Sequence, residues 1–292
     1  MFIFSQNPPF VQSYFAKIRK KLQIFFLLWK STTSYDRIHL YFYKKENFMS
    51  NHIPDSFFPE KFRILSGSTL KTIAMLTMLI DHTGMAVLSQ LPQAQIPFFS
   101  FLGNPVSLYR LSRDIGRVAF PIFCFLLVEG FLHTKNRFRY GRNLLLFAII
   151  SELPWNYIHT NTFFYEKQNV FFTLFIGYLG FCAIERFRKK QTLQFFSVLG
   201  LLGVSCFFQA DYGWKGFIFL LIMYTLHKER TAQAIIGSCW LAYEWKACFA
   251  FLSINMYNGK RGFIKGKGAK YFFYAFYPLH LTLLIFIRQY LL

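Results

Sequence analysis

The chain has 292 residues, of which 54% are hydrophobic and 21% aromatic, with 40 Phe among them. That is far more large apolar surface than one soluble core of this length buries, so the composition points to a membrane protein. The formal charge of +20 raises nucleic acid as a partner, but the basic residues fall in short clusters between apolar runs, as in the cytoplasmic loops of polytopic membrane proteins, and no nucleic acid is expected.

Residues 1–48 read differently from the rest. A short apolar piece, Leu22 to Trp29, follows the basic stretch Lys17 to Lys21; it is too short to span a bilayer, and no small-residue cleavage site follows it. The expectation is an upstream extension outside the fold, with translation starting at Met49. Lys44-Lys45-Glu46 can be encoded by a purine-rich ribosome-binding sequence, and peptides from before Met49 in the native protein would refute this. Residues 49–69 then form an N-terminal cytoplasmic segment, and 70–292 the transmembrane domain.

Eight apolar segments of roughly 15–22 residues follow, a length suited to spanning helices. They cover 70–90, 115–134, 142–160, 169–186, 193–209, 213–227, 232–254 and 271–291. Free backbone groups find no water in hydrocarbon, and the runs lack the alternation of a barrel, so the expected fold is all-α, a polytopic bundle of about eight transmembrane helices. Basic loops at 133–142, 186–190 and 227–230, with Lys61, Arg63 and Lys71, set the cytoplasmic side. The loop from Tyr257 to Lys270 (YNGKRGFIKGKGAK) objects, because strict alternation places its five basic residues outside. The segment before it carries Glu244 and Lys246 near its middle, which leaves a re-entrant course open. Cys124, Cys182, Cys206, Cys239 and Cys248 all lie in apolar runs without a C-x-x-C pair, so buried packing is expected of them and neither a disulfide framework nor a zinc site.

Polar groups inside the apolar segments are the functional signal, since a charge at bilayer depth costs on the order of 3 kcal/mol or more. Asp81 and His82 stand side by side in the first segment and point about 100° apart, so each needs a partner on another helix. The second segment offers Asp114 and Arg117 at its start and Glu129 and His133 at its end. Ser151, Glu152 and Asn156 surround Pro154 in the third, where a helix break is expected. Asn169 and Thr173 open the fourth, and Tyr277, Pro278 and His280 interrupt the last. Structural ion pairs explain any one of these residues about as well as a site does; as a set they point to a polar, substrate-handling cavity. A histidine there serves as general base, proton relay or metal ligand, and metal is the weakest reading because no H-x-x-x-H or H-E-x-x-H spacing occurs. The glycine-flanked basic loop with Asn258, Lys260 and Arg261 suits phosphate groups or lipid headgroups.

The blocks LKTIAMLTMLIDHTG, IGRVAFPIFCFLLVEGFLHT, SELPWN, NVFFTLFIGYLG, YGWKG, YNGKRG and FYPLHL, in that order, make residues 65–290 resemble the TraX family of bacterial membrane proteins. The family's motif positions fall on Asp81, His82, Arg117, Glu129, Glu152, Asn169, Arg261 and His280. The resemblance implies a multi-pass protein of the bacterial cytoplasmic (inner) membrane, in contact with lipids, that acetylates the N-terminus of conjugative pilin. More distantly it implies a membrane acyltransferase taking acetyl from acetyl-CoA as donor substrate, with no metal. On that implication His82 is expected as general base, with a transient acetyl-histidine as the alternative. Asp81 orients an imidazole or pairs with Arg117. Glu129, named with them as catalytic, lines the cavity with Glu152, and Arg117, Asn156, Asn169, Thr173 and His280 are further substrate or cavity positions. Asn258, Lys260 and Arg261 are the expected CoA contacts. The acceptor, protein or glycan, stays open, as do two other classes: a transporter, and a structural subunit of a conjugation or secretion assembly.

Overall fold

A computed structural model describes residues 56–101, 103–264 and 266–290; the expected upstream extension lies outside the described residues. The chain is almost wholly helical. Helix α1 spans Gly67–Ala86, capped by Ser66, whose hydroxyl accepts from Thr69 N. A short helix α2 (Pro92–Gln95) and the antiparallel hairpin β1 (Phe99–Phe101) with β2 (Asn104–Val106) lead to α3 (Leu108–Gly116). Then come α4 (Ala119–His133), α5 (Arg137–Thr160), α6 (Val170–Arg186), α7 (Gln191–Phe208), α8 (Gly213–Thr225), α9 (Arg230–Trp240), α10 (Ala250–Asn255) and α11 (Lys267–Tyr290).

Helix α6 is the hub: Phe175, Tyr178 and Phe181 on it are wholly buried, and α5, α7 and α8 pack around it. Helix α7 is the reverse, turning Leu193, Phe195, Phe196, Leu199 and Phe207 to the outside. Large apolar side chains facing out are what a bilayer solvates and water does not. Among the described residues four helical stretches are long and apolar enough to cross a membrane: Gly67–Gln90, Leu108–His133, Gln191–Phe208 and Tyr271–Tyr290.

Contacts between helix ends define two poles. At the first, Leu65 N donates to Met256 O (2.9 Å), Gly67 N to Lys260 O (2.9 Å) and Arg230 Nη1 to Tyr257 O (2.8 Å), while Tyr178 Oη donates to Arg137 O (2.8 Å). At the second, Trp155 Nε1 donates to Lys167 O (2.9 Å), Gln168 bridges Ala210, Trp240 Nε1 donates to Lys215 O (3.0 Å) and Arg288 Nη1 to Ile158 O (2.7 Å).

Three expectations change here. The segment 232–254 is not one helix: α9 and α10 are separated by a 3₁₀ stretch, Ala242–Phe249, broken at Glu244 (φ −125°, ψ 52°). Arg230 and Tyr257, at its two ends, meet at the first pole, so the segment is a hairpin. Pro154 and Pro278 do not interrupt their helices; α5 and α11 run through both. A proline removes one backbone bond, a loss that a helix packed among others tolerates without ending. Cys124 and Cys182 are buried as expected, but Cys206 and Cys239 are exposed, on outward faces of α7 and α9.

Candidate functional site

At the second pole a cavity of about 240 Å³ opens between five parts of the chain. Helix α1 contributes Asp81, His82 and Met85, α3 and its C-cap contribute Arg113 and Arg117, and α5 contributes Trp155 and His159. The turn between α7 and α8 adds Asp211 and Tyr212, with Lys215 following in the first turn of α8, and the 3₁₀ stretch adds Tyr243 and Glu244.

Asp81 and His82 diverge around α1 as adjacent helical residues must. Asp81 faces α3, where Arg113 Nη1 donates to its Oδ2 (2.6 Å) and to its backbone oxygen (3.2 Å). This charge-assisted bond gives the carboxylate the cationic partner it needs at this depth. The helices meet closely because position 116 is glycine: a Cβ there would overlap the Asp81 side chain. The expected Asp81–Arg117 pair does not form. Arg117 lies one turn on, where its Nε sits 3.4 Å from Glu244 Oε2, and Lys246 pairs with Asp114 beside it. These two ion pairs lash the tip of the α9–α10 hairpin to the end of α3.

His82 faces α11. Its Nδ1 lies 2.6 Å from His280 Nε2, and His280 Nδ1 lies 2.7 Å from the carbonyl of Phe276. The imidazoles are nearly coplanar (15°), with centroids 4.9 Å apart, so they meet edge to edge rather than face to face. A carbonyl only accepts, so the proton of a neutral His280 is on Nδ1 and its Nε2 is an acceptor. His82 Nδ1 must then be the donor, and the lone pair of neutral His82 is left on Nε2. His82 is 8% exposed and lines the cavity. The same reasoning applies to His159, whose Nδ1 lies 2.9 Å from Trp155 O.

Asp211 is held differently. The Gln168–Ala210 bridge and the positive φ of Gln209 (49°) and Gly213 (49°) shape its turn, and Tyr212 stacks on Phe120. Its side chain is open to the cavity yet deep within surrounding protein. That burial, with the nearby charge of Asp81, pushes its carboxyl up to about 6 against the opposing pull of Arg117, Arg113 and Lys167.

The remaining sequence-derived candidates divide by position. His280 joins His82. Glu152 Oε1 accepts from Asn169 N (2.9 Å) and Nδ2 (2.6 Å), and Asn169 Oδ1 accepts from Phe171 N (3.0 Å), which makes the pair a cap for α6 rather than cavity lining. Asn156 donates to Phe163 O (3.2 Å), and Thr173 is buried in α6 without a hydrogen-bond partner for its hydroxyl. Glu129 is at the other pole, 3.6 Å from His133 and bonded to the Tyr257 hydroxyl, so it does not line the cavity. Asn258, Lys260 and Arg261 also lie at the first pole, where the Lys260 and Arg261 carbonyls accept from Gly67 N and Ser68 N (2.9 Å each). Fourteen residues of α1 separate that loop from Asp81, roughly 20 Å of helix. Arg113, His159, Asp211 and Glu244 were not foreseen. Arg113 stands one helical turn before Arg117, and Asp211 abuts the YGWKG block; those were the available signals.

Fold and site together define a helical membrane protein with a polar, histidine-lined cavity at one pole of its bundle. The chain belongs to the TraX family, whose model, described as TraX protein, matches residues 66–288. It is 28% identical over 257 residues to the probable fimbrial assembly protein FimC, serogroup H1, of Dichelobacter nodosus, covering 77% of this chain and 97% of that one. It is 27% identical over 169 residues to the uncharacterized protein RP591 of Rickettsia prowazekii (strain Madrid E), covering 56% of each. No solved structure matches the chain significantly.

Proposed function

We propose that this protein is an acyl-CoA-dependent acetyltransferase of the bacterial inner membrane that acts on an amine or hydroxyl acceptor, with His82 as general base. The observation that carries the reading is the relay from the Phe276 carbonyl through His280 to His82, which leaves a lone pair on Nε2 of a cavity-lining imidazole. As an amine attacks the thioester carbonyl, His82 Nε2 takes the N–H proton. When the carbon–sulfur bond breaks, the same nitrogen returns that proton to the departing thiolate, so one base serves both halves of the reaction. Asp81, locked to Arg113, acts through the helix packing around His82 rather than on the imidazole itself.

The cavity suits only part of the donor. Drug-sized ligands occupy pockets of about 300–1,000 Å³, and 240 Å³ takes an acetyl group and the reacting end of an acceptor but not a nucleotide. The Arg113 and Arg117 guanidinium groups are already held by carboxylates, so the nucleotide phosphates belong elsewhere. Lys260 and Arg261 are exposed on a loop with positive φ at Gly259 (75°) and Gly262 (89°). They are available to phosphates at the opposite pole, and the acyl arm has roughly 20 Å of bundle to traverse.

The poles also set the topology. Lys61, Arg63, Arg137, Arg139, Arg142, Arg186, Lys228, Lys260 and Arg261 lie at or beside the first pole, which the positive-inside rule assigns to the cytoplasm. On this reading α1, α3–α4, α5, α6, α7, α8 and α11 cross the membrane and the α9–α10 hairpin returns to the side it left, so the cavity faces the far side, within reach of an acceptor such as a pilin N-terminus. The FimC resemblance fits a pilus-linked acceptor.

The test is transfer of labelled acetyl from acetyl-CoA by purified protein in detergent to a panel of amines and sugars. Wild type transfers, and His82→Ala loses about 10²–10⁴-fold while still inserting. Undiminished transfer by that variant removes His82 from the chemistry. The FimC name also favours a second reading, a structural part in pilus assembly. It requires that His82→Gln, which keeps hydrogen-bonding capacity, leave assembly intact.

A further inference from the structure

We propose that Tyr277 is a further catalytic residue, whose hydroxyl hydrogen-bonds the thioester carbonyl oxygen as negative charge develops there. Tyr277 stands near the middle of α11, three residues before His280, and is 3% exposed. Its ring meets His82 edge to face, with centroids 5.9 Å apart and planes at 63°. That contact needs the ring alone and leaves the hydroxyl unexplained. Tyr277 Oη makes no hydrogen bond among the described residues. The backbone N–H of Val170, the first residue of α6, acts on that oxygen, but a donor cannot take the hydroxyl proton. A buried tyrosine hydroxyl ordinarily finds a partner, so this one calls for an acceptor that arrives with a ligand.

The position suits a carbonyl oxygen. Besides touching His82, Tyr277 is within electrostatic reach of Asp211 and Tyr212, and those three residues line the cavity. A carbonyl at the deep end of the cavity therefore lies between the general base and the tyrosine hydroxyl. Thr173, three residues along α6 from Val170, is a second buried hydroxyl without a hydrogen-bond partner, and it packs with Tyr212 over Gly216. Both hydroxyls stand at the N-terminal end of α6, where the helix dipole favours negative charge. As the nucleophile bonds to the carbonyl carbon, the C=O π pair moves onto oxygen, and the Tyr277 O–H donates to it without losing its proton. The pair returns as the carbon–sulfur bond breaks and His82 gives its proton to the thiolate. A fixed donor aimed at charge present only in the transition state accelerates the step.

This deepens the acyl-transfer reading and rests on it for the reaction, while the bond to the carbonyl is read without turnover. The probe is acetyl-CoA isotope-labelled at the thioester carbonyl, bound to the full chain in detergent with no acceptor present. Infrared difference spectra against unlabelled acetyl-CoA isolate that carbonyl. Its stretch falls below that of the free thioester in wild type, and Tyr277→Phe, which keeps the ring on His82, removes most of the shift. With an acceptor added, Tyr277→Phe lowers kcat about 10²–10³-fold, as loss of one oxyanion donor does, and leaves the acetyl-CoA KM little changed. The variant melts no lower than wild type, because the hydroxyl it lacks has no partner in the fold. A wild-type spectrum without the shift overturns the proposal, as does a shift or a kcat that Tyr277→Phe retains. Failure of Tyr277→Phe to fold overturns it too, by making the hydroxyl structural. A shift lost in the variant, but with no transfer by wild type to any acceptor, would instead sink the acyl-transfer reading and leave Tyr277 as a carbonyl-binding group.

Discussion

His82 and His280 illustrate how a hydrogen bond decides chemistry. On the proposed acyl-transfer reading, the imidazole of His82 is useful as a base because His280 accepts its Nδ1 proton. His280→Phe removes that acceptor, freeing the ring to adopt the other tautomer and leaving a buried N–H unpaired, at a cost of about 1–3 kcal/mol. Acetyl transfer should fall by roughly 5–150-fold through kcat, with the acceptor KM little changed, and His280→Gln should recover part of it. A loss confined to KM would assign His280 to binding instead. Asp211 carries the opposite balance, since its carboxyl, near 6 in the fold, lies above its unfolded value. Its contribution to stability is therefore fully present below the unfolded value and is lost as pH rises through about 6. Asp211→Asn should melt higher than wild type above pH 7, and the difference should vanish near pH 4. Because the side chain is open to the cavity, solvent screening limits the gain to about 1 kcal/mol, roughly 2–4 °C.

Among the elements, the contact of α1 with α3 governs the site. It depends on Gly116, where any side chain meets Asp81. Gly116→Ala should push α3 away from α1, break the 2.6 Å Asp81–Arg113 bond and destabilise by about 1–3 kcal/mol, as overpacking does. Thermal melting in detergent reads the loss, and transfer activity should fall with it. If Gly116→Ala is as stable and active as wild type, the close approach is not what holds Asp81. The α9–α10 hairpin shows why pattern reading stops short at this scale. Its apolar residues count as a span, and Glu244 and Lys246 only hint at a turn; the course is set by partners far away in sequence, Arg117 and Asp114 at the tip and Tyr257 at the base.

For the whole molecule, the hairpin removes the conflict over the basic loop. If 230–257 leaves and returns at the first pole, Lys260 and Arg261 sit with the other basic loops, and the end of α11, bonded through Arg288 to Ile158, lies at the cavity pole. In a cysteine-depleted background, Lys260→Cys should react with a membrane-impermeant maleimide only after the cytoplasmic side is opened, and Thr162→Cys from the outside of intact cells. The reverse labelling would turn the cavity towards the cytoplasm and its acceptor with it.

Composition and hydropathy alone determined that this is a helical membrane protein, because those properties follow from each residue's own solvation. They also singled out Asp81 and His82, since two ionisable side chains in an apolar run are costly wherever they lie. The motif blocks added the family. Only the tertiary structure decided the partners: Arg113 rather than Arg117 for Asp81, and His280 for His82 across 198 residues of chain. It likewise sent Glu129 to the opposite pole and brought Asp211, His159 and Glu244 into the cavity. A side chain's own chemistry says that it needs a partner, and the packing of distant helices says which one it meets.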